Sequence, residues 1–213
     1  MVELRKRKAT TQPLETEQKS KRILDLDPAS KRGPKKVKAG GSLADASSDA
    51  RHGSPKVGET LDLNQFGGEF ENHDGTKLRL KDLVDSSKSG VVLFTYPRAS
   101  TPGCTKQACL FRDNYESLTS SGMSVYGLSA DSPKANTTFK SKQKLPFPLL
   151  CNSSYTLIAA LGFKKTPKGT TRGVFAVNKL GEVLLHQRGG PDATVEAARQ
   201  VVIASKEEKR ESP

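Results

Sequence analysis

The chain of 213 residues has no tryptophan, and it holds only three cysteines, three histidines and two methionines. Aromatic side chains are missing altogether from residues 1–54, where thirteen Lys and Arg stand against seven Asp and Glu. A segment without large apolar side chains cannot offset the entropy of ordering its own backbone, so residues 1–54 are expected to form a disordered basic tail and linker. An odd, small number of cysteines argues against a structural disulfide framework and turns attention to Cys104, Cys109 and Cys151 as reactive or buried thiols. His52, His73 and His186 are scattered without the spacing of zinc ligands, so no metal site is expected. No apolar run approaches the ~20 residues of a membrane span, and none follows the N-terminal charges as in a secretory signal. The expectation is a soluble intracellular protein with no membrane partner.

What is present is strongly basic, with a net charge of +12, half of it carried by residues 1–54. The tail has basic clusters at residues 5–8, at Lys19, Lys21 and Arg22, and at Lys31, Arg32, Lys35, Lys36 and Lys38. Gly33 and Pro34 keep the last cluster extended, which suits an import signal read by a nuclear import receptor and places the protein in the nucleus, with the cytoplasm as a second compartment. The alternative is a solvated solubility tail. Attraction to nucleic acid follows from the same charges, but no aromatic stacking platform accompanies them. Residues 39–54 turn to Gly, Ser, Ala and Asp, as a linker does.

The folded part is expected over residues 55–205, with a charged C-terminal tail at 206–213. Residues 70–72 and 78–80 read as a hairpin about Asp74-Gly75. Residues 91–96 form a continuous apolar, β-branched and aromatic run, the pattern of a buried central strand. A helix is expected over 104–120 with Gly122 as its stop, then a strand at 124–129. Asp131-Ser132-Pro133 combines an N-cap with a first-turn proline for a helix to about Lys144. A short apolar stretch at 147–151, a short helix at 155–161, strands at 173–177 and 182–187 and a closing helix at 194–205 complete the reading. Strands that alternate with helices and end in a hairpin predict an α/β sandwich with a mixed central sheet.

Between the buried strand and the first long helix lies the segment Pro97-Arg98-Ala99-Ser100-Thr101-Pro102-Gly103-Cys104. A thiol in the first turn of a helix meets unpaired backbone N–H groups and the positive end of the helix dipole, which favours its thiolate. Pro97 and Pro102 restrict the loop, Gly103 permits a close approach, and the Thr101 hydroxyl can bond beside the sulfur. Cys-x4-Cys is not the Cys-x-x-Cys of thiol–disulfide oxidoreductases, so their activity is not expected here.

The pattern Pro97, Thr101, Cys104 resembles the active-site motif of the peroxiredoxins. The longer string over 96–113, YPRASTPGCTKQACLFRD, is similar to the peroxiredoxin Q, or bacterioferritin comigratory protein, branch, and with the basic tail it most resembles the nuclear thiol peroxidases of fungi. The resemblance covers roughly residues 55–205 and omits the tail. It implies a thioredoxin-like sandwich, reduction of hydrogen peroxide and organic hydroperoxides, no metal or organic cofactor, and thioredoxin as the reductant. It also implies a functional arginine on a late strand, and Arg172 matches; a guanidinium has fixed donors and a permanent charge for thiolate and peroxide alike. Arg98 and Arg112 have the same chemistry and stay open as alternatives.

The chemistry that follows is nucleophilic. Cys104 attacks a peroxide oxygen and becomes a sulfenic acid, while donors at the Gly103 and Cys104 amides, Thr101 and Arg172 stabilise the oxygens. Cys109 is the expected resolving thiol, forming an intramolecular disulfide; a passive Cys109 would leave that role to Cys151, another subunit or an external thiol. Five helical residues separate the two by ~7.5 Å of rise and about 140° of rotation. A disulfide requires Cα atoms within roughly 7 Å, so the first helical turns must unwind. An internal resolving thiol does not require a dimer, and a monomer is expected. Cys151 reads as a core thiol. A chromatin-associated binding protein is the competing class, and it would have no need of Thr101, Cys104, Cys109 and Arg172 together.

Overall fold

The computed structural model describes residues 53–211. The basic tail expected over 1–54 lies almost wholly outside them. Strand β3, Gly90–Thr95, is buried at every position. It pairs in parallel with β4, Met123–Ser129, and antiparallel with β6, Gly173–Asn178. Outside these lie β5, Leu149–Cys151, parallel to β4, and β7, Val183–Arg188, antiparallel to β6. The hairpin β1, Phe70–Asn72, and β2, Lys77–Leu78, adds to β5, giving a seven-stranded mixed sheet in the order β2-β1-β5-β4-β3-β6-β7.

The alternation of side chains along β3 divides the core. Val92, Phe94 and Tyr96 pack with α2, Pro102–Asp113, α4, Pro133–Gln143, and α6, Pro191–Glu211, whereas Val91 and Leu93 pack with α1, Leu80–Ser86, and α5, Thr156–Ala160. A strand whose two faces are both apolar must be covered on both sides, so helices flank the sheet as the continuous run at 91–96 requires. Phe94 stacks on Phe111 of α2 at 4.2 Å between ring centroids and meets Phe147 edge-on at 5.4 Å. That contact anchors α2 to the sheet centre; truncating such a buried ring costs roughly 3–5 kcal/mol.

Four local readings change. Leu80 opens α1 rather than closing the hairpin: Leu80, Leu83 and Val84 are buried at helical spacing, and the Arg79 amide donates to Asp82 Oδ2 at 2.7 Å. The helix expected over 104–120 starts at Pro102 and breaks at Asn114, whose Nδ2 donates to the Leu110 carbonyl at 2.8 Å; a short helix α3, Tyr115–Thr119, follows. A side chain that takes a backbone acceptor competes with the helix ladder. The apolar stretch at 147–151 is strand only from Leu149, since Pro148 lacks an N–H. The last helix begins at Pro191 and runs to Glu211, so residues 206–211, read as a charged tail, are helical. The N-cap at Ser132 forms as expected, its hydroxyl oxygen accepting from the Ala135 amide. Among the described residues no helix is long and apolar enough to cross a membrane.

Candidate active site

The parallel strands end together, and the segment 97–101 leaves the end of β3 to enter α2. Pro97, exposed, follows the last paired residue, Tyr96, whose amide donates to Leu128. The loop is held from two sides. Asp131 Oδ2 accepts the Ala99 amide at 2.7 Å, and the Thr101 hydroxyl donates to the Arg98 carbonyl at 3.0 Å. Between them Ser100 adopts φ 61°, a left-handed conformation that a side chain disfavours by roughly 1 kcal/mol. Thr101 is the N-cap position of α2, with Pro102 at the first helical position, and Cys104 follows in the first turn.

Cys104 is buried, 1% exposed, beneath a rim in which Pro102 and Gly103 are open to solvent. Arg172 Nη2 lies 3.4 Å from its sulfur, and Arg172 Nη1 donates to Gln107 Oε1 at 2.6 Å. A Cβ on Gly103 would stand 3.2 Å from that same Nη2, so the glycine leaves room for the guanidinium. The arginine is brought in by the sheet: Thr95 Oγ1 donates to the Thr171 carbonyl at 2.8 Å, and Gly173 pairs with Thr95. Of the three arginines considered, Arg172 is the one bonded to Cys104. Arg112 turns to Asp113 and the Gln143 carbonyl, and Arg98 is exposed.

Cys109 is half-buried on the same helix, its Sγ 3.6 Å from Gln143 Oε1 on α4. All three cysteines are free thiols. Cys151 is buried at the end of β5, 3.1 Å from Asn136 Nδ2; burial pushes its thiol up to about 11, against the partial relief of that hydrogen bond. Asn136 also accepts the Tyr96 hydroxyl at 2.9 Å and donates to Ser129, closing a buried polar network beside the loop. Among the described residues no group of three His, Cys, Asp or Glu is placed to hold a metal ion.

A sequence model of the AhpC/TSA family matches residues 61–186, more than half of the chain. The chain belongs to the AhpC/TSA family, on its peroxiredoxin branch. Peroxiredoxin bcp1 of Schizosaccharomyces pombe is 48% identical over 98 residues, which cover 46% of this chain and 49% of that protein, so the chain spans about half the length of that relative. The crystal structure of peroxidoxin BcpB from Mycobacterium tuberculosis matches with a TM-score of 0.62 at 32% identity, over 70% of this chain and 97% of that one. A Xanthomonas campestris bacterioferritin comigratory protein, whose structures are reported for its alkyl peroxide reduction activity, matches with a TM-score of 0.58 at 25% identity, over 70% and 96%. The resemblance carried by residues 96–113 and the thioredoxin-like sandwich are thereby borne out.

Three side chains of this peroxiredoxin site escaped the reading of its sequence. Gln107 lies three residues after Cys104, on the same helix face, so its spacing was a signal that could have been used. Asp131 was read as part of a helix cap and instead accepts from the loop. Thr194, which accepts from Gln107 Nε2 at 3.0 Å, lies on the last helix with no local mark at all.

Proposed function

We propose that the chain is a thiol peroxidase that reduces hydrogen peroxide and organic hydroperoxides, with thioredoxin as its reductant. The observation that carries the reading is the Cys104 sulfur in the first turn of α2 with a guanidinium nitrogen 3.4 Å away. The Cys104 thiolate attacks one peroxide oxygen, the S–O bond forms as the O–O bond breaks, and the departing oxygen takes a proton and leaves as water or an alcohol. Arg172 supplies charged donors to the oxygen bearing the developing charge, where such preorganised donors are worth most. The Cys109 thiol then attacks the sulfenic sulfur, releasing water and forming the disulfide. A thioredoxin dithiol takes that disulfide in two exchange steps, returning both thiols and leaving oxidised thioredoxin.

The alkyl peroxide reduction named for the Xanthomonas relative supports organic hydroperoxides as substrates. Cys109 and Cys104 lie on one helix, so resolution requires α2 to open. Nothing in this cycle needs a second subunit, and the protein acts as a monomer. The basic clusters at residues 21–22 and 31–38 direct it to the nucleus through an import receptor, with antioxidant defence there as its role.

The test is peroxide consumption by the full chain with thioredoxin, its reductase and NADPH. Cys104→Ser is expected to abolish turnover, and Cys109→Ser to stop it after one equivalent of peroxide. Mass spectrometry of the oxidised chain should find Cys104 linked to Cys109. Turnover that survives Cys104→Ser would refute the reading, and a link to Cys151 would refute the resolving step.

A further inference from the structure

The guanidinium of Arg172 is held by an amide whose orientation is set by the groups at both of its ends. Gln107 is fully buried, and its two ends are an acceptor and a donor of nearly equal size. Arg172 offers only donors, so the end that faces it must be the oxygen, and Oε1 accepts from Nη1 at 2.6 Å. The other end meets Thr194 Oγ1 at 3.0 Å. A threonine hydroxyl could itself donate, which would favour the opposite orientation of the amide. Its proton is already committed: Thr194 Oγ1 donates to the Pro191 carbonyl at 2.8 Å in the first turn of α6. With that proton used, the hydroxyl can only accept, and the amide must present its NH2 group to α6 and its oxygen to Arg172.

We propose that Thr194 is a positioning residue for peroxide reduction, setting the orientation of Gln107 and through it the guanidinium that meets the peroxide at Cys104. The chain of bonds runs from the Pro191 carbonyl through Thr194, Gln107 and Arg172 to the Cys104 sulfur, and Thr194 and Gln107 are fully buried. It joins the last helix to the catalytic turn. The inference rests on the peroxidase reading given above, and it assigns no contact between Thr194 and substrate.

The test follows from symmetry. A carboxylate has two equivalent oxygens and needs no partner to choose which one faces Arg172. Rapid-mixing experiments on the full chain give the second-order rate constant of Cys104 with hydrogen peroxide, and alkylation by iodoacetamide gives a control that holds no O–O bond. Thr194→Val should lower the peroxide constant about fivefold and Thr194→Ser should stay within about twofold of wild type, in keeping with the loss or retention of one neutral hydrogen bond. Alkylation of Cys104 should fall less than the peroxide constant in Thr194→Val, since Arg172 also lies against the sulfur that both reagents meet. In the Gln107→Glu background, adding Thr194→Val should have no further effect on the peroxide constant. An unchanged constant in Thr194→Val, an equal loss with serine, or the same loss in the Gln107→Glu background would overturn the proposal. A parallel fall in alkylation would also overturn it, as general damage to the site. A wild-type chain inert to peroxide is a different result, refuting the peroxidase reading itself.

Discussion

Gly103 sits where a side chain would meet Arg172 Nη2 at 3.2 Å, so space rather than backbone conformation requires the glycine. Gly103→Ala should fold normally while moving the guanidinium by a few tenths of an ångström. Small misplacements of a group aimed at a transition state are costly, and a peroxide rate constant lower by roughly tenfold is expected from rapid mixing. Cys151 is a different kind of thiol. Burial holds it up at about 11, above its ordinary 9.0, so the folded chain keeps this proton after the unfolded chain has lost it. Its contribution to stability is therefore complete below about pH 9 and lost as pH rises through about 11. Denaturant melts of wild type and Cys151→Ala should diverge across that window, with wild type losing on the order of 2 kcal/mol more. The same protonation leaves Cys151 a poor nucleophile near neutral pH, consistent with a thiol that stabilises rather than reacts.

At the scale of the element, α2 is built in two halves. Its first turns carry the Cys104 sulfur, bury Cys104 and Ala108 in the core, and add polar ties: Lys106 to Asp192 at 2.7 Å, Gln107 to Thr194, and Cys109 to Gln143. The Lys106 pair is exposed and worth little, since water competes for both charges. Its last turn carries Phe111, stacked on Phe94 in the sheet centre. Under the proposed resolving step, opening the helix to bring Cys109 to Cys104 would break these polar ties, while Phe111 would keep its place against Phe94. Amide exchange over residues 104–110 should rise in the oxidised chain, with Phe111 and the following turn still protected. Equal protection in the reduced and oxidised chains would contradict an unwinding step.

Across the whole chain, charge and large apolar side chains are unevenly divided. Residues 1–54 hold half of the net charge of +12 and none of the aromatic side chains. The proposed import receptor would depend on those charges, whereas the proposed peroxide chemistry of residues 97–172 would not. Replacing Lys31, Arg32, Lys35 and Lys36 with alanine should move a fluorescently tagged full chain out of the nucleus and leave its peroxide turnover unchanged. A tail that serves solubility alone would leave the distribution as it was. Analytical ultracentrifugation of the reduced chain should return the mass of one copy.

The sequence alone determined the parts of this protein whose cause is local. The unbroken apolar run at 91–96 required a central strand covered on both faces, Ser132-Pro133 required a helix start, and the string around Cys104 marked a thiol at the first turn of a helix. It also held a signal that went unread, the Leu80, Leu83 and Val84 spacing of α1. The family resemblance pointed to Arg172 while the residues alone left Arg98 and Arg112, chemically alike, open; the tertiary structure brings Arg172 to the sulfur, with Thr95 binding the Thr171 carbonyl across the sheet. It alone brought Thr194 against Gln107, eighty-seven residues apart in the chain, since a hydrogen bond between side chains on two helices follows from how both pack on the sheet and leaves no trace in either segment.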